Sequence, residues 1–175
     1  MGLAERAATE VLRRTGVQKA PINVHAIAER LGAQVREVPH EGSISGMLYR
    51  DGPKVIIGVN ENDGPTRQRF TVAHEIGHLT LHRGRPMILD HKVHEDVQIN
   101  MRDTTLPSSR EEVQANAFAA ELLMPDPLLR DALTKTPKRL MQSDEDLVRH
   151  LHKVFSVSAE AMRYRLINLG LIAPP

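Results

Sequence analysis

At 175 residues, 41% of them hydrophobic, the chain is long enough to bury one sizeable core with room for a small appendage. A formal net charge of +1 supplies no field for a polyanion partner, and the lack of cysteine excludes disulfides, thiolate metal sites and a cysteine nucleophile. No apolar run approaches the length of a membrane span, and Glu5, Arg6 and Glu10 interrupt any signal-peptide core, so a soluble, cytoplasmic protein away from membranes is expected.

Residues 2–15 predict a first helix with Leu3, Ala7, Ala8, Val11 and Leu12 on one stripe, ended by Gly16. Asn23 has the character of an N-cap for a short helix carrying Val24, Ile27, Ala28 and Leu31, which closes at Gly32. Three strand-like stretches follow at 33–38, 45–50 and 54–59. The last two flank Asp51-Gly52, a strong hairpin signal, so a small antiparallel sheet is expected. A polar loop at 60–65, with Asp63 or Thr66 available as a cap, leads into a helix over 65–82. Arg67 and Arg69 near its start read as solvated or paired charges.

That helix carries FTVAHEIGHLTLH over residues 70–82. Residues four apart share a helix face, so His74 and His78 point into the same space. Glu75 is rotated about 100° from His74 and reaches the edge of that space. Two neutral nitrogen ligands, an open coordination position and a carboxylate to take a proton from water are what metal-assisted peptide hydrolysis needs. The bland alternative is an exposed helix face. Against it, Phe70, Val72, Ala73, Ile76, Leu79 and Leu81 make the helix apolar around most of its circumference, hence buried. Burying three polar groups without partners would cost on the order of 2–7 kcal/mol each.

Residues 83–110, with Gly84, Pro86 and Pro107, read as an irregular stretch: a lid, a binding loop or disorder. Its His91 and His94 are better read as surface histidines than as ligands. A catalytic zinc takes three protein ligands, so the motif lacks one. Six residues past His78 stands Gly84, which excludes the metzincin arrangement. His82 lies about 80° around the helix from His74 and suits a contact behind the ligands or with substrate.

The better donor lies in EEVQANAFAAELLMP at 111–125. As a helix, this puts Glu112, Ala115, Asn116, Ala119 and Leu123 on one face, where small residues permit close packing against the motif helix. Glu112 would then face the histidines, and Asn116 would accept from the distal N–H of one imidazole. Glu111 is the rival donor, Glu121 falls on the opposite face, and the bland reading of Glu112 is a helix-start charge.

Ser143 caps a further helix with Leu147, Val148, Leu151, Val154 and Phe155, then a turn at 156–158 and a helix over 159–169 give a helix-turn-helix outline. Arg163 and Arg165 are candidate phosphate contacts. From Lys138 onward, however, six Lys/Arg face four Asp/Glu, which favours packing or substrate docking over DNA binding. A division into 1–130 (metallopeptidase domain) and 131–175 (helical subdomain) follows.

The runs RQRFTVAHEIGHLTLH (67–82) and EVQANAFAAELLMP (112–125) strongly resemble the ImmA/IrrE family of zinc metallopeptidases, as do PINVHAIAERLGAQV (21–35), ISGMLYRDG (44–52) and VIIGVN (55–60). The resemblance implies an α+β, zincin-like (gluzincin-type) fold: a small antiparallel sheet packed on helices, then C-terminal helices of helix-turn-helix type. It implies His74, His78 and Glu112 as Zn²⁺ ligands, with Mn²⁺ as a substitute in vitro, and Glu75 as catalytic base. It further implies a site-specific protease whose substrate is a helix-turn-helix repressor of Xre or phage-repressor type, in mobile-element, stress-response or toxin–antitoxin settings. The 83–110 loop is long for that family, and no sensor domain is expected after it. Tyr49, Tyr164, His82 and His152 are the candidates for stabilising the oxyanion. The rival function is a regulatory protein that grips a repressor or DNA without cutting; such a module has no need of a base at Glu75.

Overall fold

The computed structural model describes residues 2–39, 44–84, 86–91 and 109–174, without the side chains of residues 44, 90 and 91. In chain order it contains α1 (Leu3–Thr15), α2 (Val24–Arg30), β1 (Ala33–Val38), β2 (Ile44–Asp51), β3 (Lys54–Asn60), α3 (Pro65–Leu81) and β4 (Met87–His91). After these come α4 (Ser109–Leu123), α5 (Asp126–Lys135), a 3-10 turn at Lys138–Met141, α6 (Asp144–Phe155) and α7 (Ala159–Asn168). The fold is α+β.

Local chemistry sets most element ends. Gly16 closes α1 in the left-handed region at φ 65°. The Asn23 side chain accepts from the Ala26 N–H at the start of α2, and Ser143 and Ser158 do the same for α6 and α7. α3 departs from expectation: Gly64 precedes it with no side-chain cap, so neither Asp63 nor Thr66 has that role. Pro65 opens the helix instead, at a position where a missing N–H costs nothing.

The sheet has the order β1-β3-β2-β4 and is mixed, which corrects the wholly antiparallel expectation. β2 and β3 form the expected hairpin, with Gly52 at φ 55° in its turn. β1, however, pairs with β3 in parallel, with Ala33 opposite Val55 and Val35 opposite Ile57. Strand propensity and one tight turn do not specify which edge of a hairpin a third strand joins; burial of these aligned apolar residues does. A second correction concerns the stretch read as irregular: residues 87–91 form β4, antiparallel to β2, with Ile88 beside Leu48 and both fully buried. Five residues are too few to display a period. Pro107 and His94 lie outside the described residues.

Side chains alternate across a strand. Gly46, Leu48 and Arg50 of β2 face α3, where Arg50 donates to carbonyls of the helix end. Met47 and Tyr49 therefore stand on the other face. The buried cluster spans α1, α2, the inner sheet face, α3 and α4, and continues through Leu129, Leu151, Phe155, Met162 and Leu166. The division drawn after residue 130 falls inside α5.

Candidate metal centre

Residues Thr71 to His78 form an unbroken buried stretch of α3, in which His74, Glu75 and His78 are 2%, 0% and 0% exposed. Helical spacing brings His74 Nε2 and His78 Nε2 to 3.0 Å. Glu112 arrives from α4, with Oε2 3.3 Å from His74 Nε2 and Oε1 3.2 Å from His78 Nε2. α4 comes this close because Gly77 lacks a side chain. A Cβ there would lie 3.2 Å from the Ala115 Cα and 3.2 Å from Phe118 Cδ1. Among the described residues, His74, His78 and Glu112 form the group able to hold a metal; Glu111 is not part of it.

The distal imidazole nitrogens are engaged as well. His74 Nδ1 lies 3.0 Å from Asn116 Oδ1, so Nδ1–H donates there and Nε2 keeps its lone pair. His78 Nδ1 lies 2.9 Å from His82 Nδ1, and His82 Nε2 lies 2.9 Å from Gln114 Oε1. With the Gln114 carbonyl as terminal acceptor, His82 donates through Nε2 and accepts at Nδ1. His78 then donates through Nδ1, which leaves its own Nε2 bare. Both histidines thus turn a lone pair toward Glu112.

This donor set fits a metal. Two imidazole lone pairs and a carboxylate facing one another at 3.0–3.3 Å repel unless a cation or proton lies among them. Tetrahedral ligands bonded at about 2.0–2.1 Å stand roughly 3.3 Å apart, close to the spacing found. Burial would raise the Glu112 pKa, but in the metal-free protein a proton taken up on His74 or His78 Nε2, donated to the carboxylate, outweighs burial and holds the carboxyl down at about 2. Burial lowers the pKa of His78. Both directions favour the forms that ligate, carboxylate and neutral imidazole.

Glu75 sits between this centre and the sheet. A Cβ on Gly46 would lie 2.4 Å from Thr71 Cγ2 and 2.9 Å from Glu75 Oε1, so β2 can lie against Glu75 only with glycine at 46. Four residues on, Arg50 donates from Nη2 to the carbonyls of His78 (3.0 Å) and His82 (3.1 Å), holding the last turn of α3. Burial lowers the Arg50 pKa, and the charge of Glu75 acts in the opposite direction.

Other residues singled out in the sequence fall elsewhere. Tyr49 points from the far face of the sheet, away from α3, because strand alternation puts its neighbours Leu48 and Arg50 on the near face. His152 bonds the Val157 carbonyl at the α6–α7 turn. Arg165 is buried and donates to Glu121 and to the Met124 carbonyl, so it is not available to a phosphate. Arg69 donates to the carbonyls of Ser156 and Phe155, and Arg67 to Ser45 Oγ. His91 belongs to β4, its side chain outside the described set. Arg50, Gly46 and Gln114 are the residues that sequence reasoning missed. Gln114 stands between Glu112 and Asn116, but nothing in its local sequence shows that the end of α3 lies opposite.

The family model for the IrrE N-terminal-like domain, a peptidase family, matches residues 28–167. Two curated relatives, both named radiation response metalloprotease IrrE, are 35% identical. The match to the Deinococcus radiodurans protein covers 81 residues, 46% of this chain and 22% of that one. The match to the Deinococcus deserti protein covers 80 residues, 46% of this chain and 26% of that one. The chain therefore matches about a quarter of the length of these relatives. A solved structure named Mycobacterium tuberculosis transcriptional regulator is similar in fold, with a TM-score of 0.58 and 20% identity over 95% of this chain and 47% of that one.

Proposed function

Since the chain belongs to the IrrE N-terminal-like family of metallopeptidases, we propose that it is a zinc-dependent endopeptidase that cuts a helix-turn-helix repressor at a defined site. The observation that carries this reading is the meeting of His74, His78 and Glu112 with a buried Glu75 alongside. Zn²⁺, or Mn²⁺ in its place, would be held by those three and would supply Lewis acidity.

The chain's own residues do the rest. Glu75 takes the proton from the attacking water and delivers it to the leaving amine. The wall at Gly46 limits where its carboxylate can stand. Asn116 on one side, and His82 with Gln114 on the other, keep both imidazoles in the tautomer that presents Nε2. Among the described residues no helix is long and apolar enough to cross a bilayer. A cytoplasmic regulatory protease, acting in stress-response, mobile-element or toxin–antitoxin control, fits relatives named for a radiation response. Direct DNA binding is disfavoured by the burial of Arg165.

The test is incubation of the protein and Zn²⁺ or Mn²⁺ with the repressor encoded next to its gene, read by intact mass. A single cut is expected, lost with a chelator. Glu75→Gln should retain metal and slow cleavage by about 10²–10⁴-fold. Cleavage by Glu75→Gln at the wild-type rate would remove Glu75 from this role.

A further inference from the structure

Beside the metal centre lies a cleft of about 400 Å³ between the start of α3, the second half of α4 and the α6–α7 turn with α7. We propose that it is the specificity pocket, receiving the large apolar side chain of a substrate residue that flanks the scissile bond; this rests on the peptidase reading above.

Continuity with the centre is the first observation. Asn116 lines the cleft and also bonds His74, and the Phe70 ring, one turn earlier on α3, lies 6.2 Å from the His74 ring. Successive residues of an extended chain are about 3.8 Å apart. A peptide whose scissile carbonyl reaches His74, His78 and Glu112 therefore has a neighbouring side chain at the mouth of the cleft.

The lining states the chemistry. Phe70, Ala120, Met124, Val157, Ala161 and Tyr164 make it mostly carbon. Its two arginines are engaged within the protein: Arg165 with Glu121 and the Met124 carbonyl, Arg67 with Ser45. Glu160 stands exposed at the rim. The Arg165 charge is thus paired with Glu121, and the Arg67 guanidinium is turned to the Ser45 hydroxyl. Tyr164, 61% exposed, is a large apolar surface that a bound chain would cover. The volume lies at the lower end of ligand pockets, about 300–1,000 Å³, and suits a Leu, Met or Phe side chain with adjoining backbone. Ala120 and Ala161 keep the cleft open. Its far wall is tied to the catalytic helices by Arg69 bonding Ser156 and by Arg165 bonding Glu121.

The experiment has two arms on the full chain. In the first, the Zn²⁺-loaded protein cuts a mixed peptide library and the cut sites are sequenced. Leu, Met or Phe should be enriched at one position beside the cut, and Ala161→Phe should lower the kcat/KM ratio of Leu to Ala peptides at least about tenfold. Tyr164→Ala, at an exposed site that does not threaten folding, should weaken the same preference. No apolar enrichment, or an unchanged ratio in both variants, overturns the proposal. In the second arm, N-acetyl-leucinamide or N-acetyl-glycinamide is titrated and amide resonances of Ala120, Ala161 and Tyr164 are followed. The leucine compound alone should shift them, and Ala161→Phe should abolish the response. If nothing is cut yet the leucine compound binds here, the pocket stands as an apolar side-chain site and the peptidase reading falls. If neither compound perturbs these residues, the pocket fails whether or not the protein cuts.

Discussion

Replacing Gly77 tests whether the helix contact beneath the metal centre sets the third ligand. A Cβ at this position meets Ala115 Cα at 3.2 Å, Phe118 Cδ1 at 3.2 Å and the Ala115 carbonyl oxygen at 3.3 Å. Carbon pairs are most comfortable at about 3.5–4.0 Å, and two of these neighbours are backbone, so α4 must yield as a body. For Gly77→Ala, overpacking of about 1–3 kcal/mol is partly offset by the roughly 1 kcal/mol that alanine gains over glycine inside a helix. Gly77→Val adds two further methyls against the same backbone, and a loss of about 3 kcal/mol, or roughly 6–12 °C in Tm, is expected. Glu112 is one turn from Ala115 on α4, so the same displacement pulls it from the 3.2–3.3 Å spacing to the histidines. Zn²⁺ affinity, measured by competition with a chromophoric chelator, should fall about 10–100-fold for valine and less for alanine. A Gly77→Val protein with wild-type Tm and wild-type Zn²⁺ affinity would refute the claim that this contact positions Glu112.

The chain Gln114–His82–His78 predicts that His82→Ala and Gln114→Ala each weaken Zn²⁺ binding about 10–100-fold without unfolding the protein, whereas Gln114→Glu, still an acceptor, loses less. Equal affinities for Gln114→Ala and wild type would show that the tautomer is set elsewhere. Gly46→Ala pushes Thr71 and Glu75 away from β2; it should cut peptidase rate much more than metal content, as measured by single-turnover cleavage beside metal analysis. Acid should destabilise the metal-free protein in two windows. His78 is held neutral, its pKa lowered by burial, so the unfolded chain binds the proton more readily and stability falls as pH drops below about 6.5. Glu112 is depressed to about 2, so its contribution is full above about 4.5 and is lost as pH falls from there toward 2. Denaturant midpoints across pH should show both slopes, and Glu112→Gln should flatten the lower one; an unchanged lower slope would contradict the assignment.

Much of this protein was legible wherever its physics acts within one or two helical turns. The i, i+4 spacing of His74 and His78, the apolar wrapping of their helix, the small-residue face of α4 with Glu112 and Asn116, and the ends at Gly16, Asn23, Gly52 and Ser143 are local properties of the chain. What the chain could not state locally was decided by packing between distant segments. β1 joins β3 in parallel because that buries Ala33 and Ile57, with half-buried Val55 and Val35 opposite them in register. Met87–His91 becomes a strand because β2 offers it a free edge, and pairing satisfies backbone groups that five residues alone cannot. Tyr49 is turned from the centre and Arg50 toward it by a one-residue step in a strand whose buried face the sequence leaves open. Gln114 and Arg165 took on their partners only when α4 met the end of α3 and the second half of α7. The sequence alone determined which residues could ligate, cap and pack. Tertiary structure decided which of them meet, because burial and hydrogen-bond satisfaction are settled by neighbours tens of residues away.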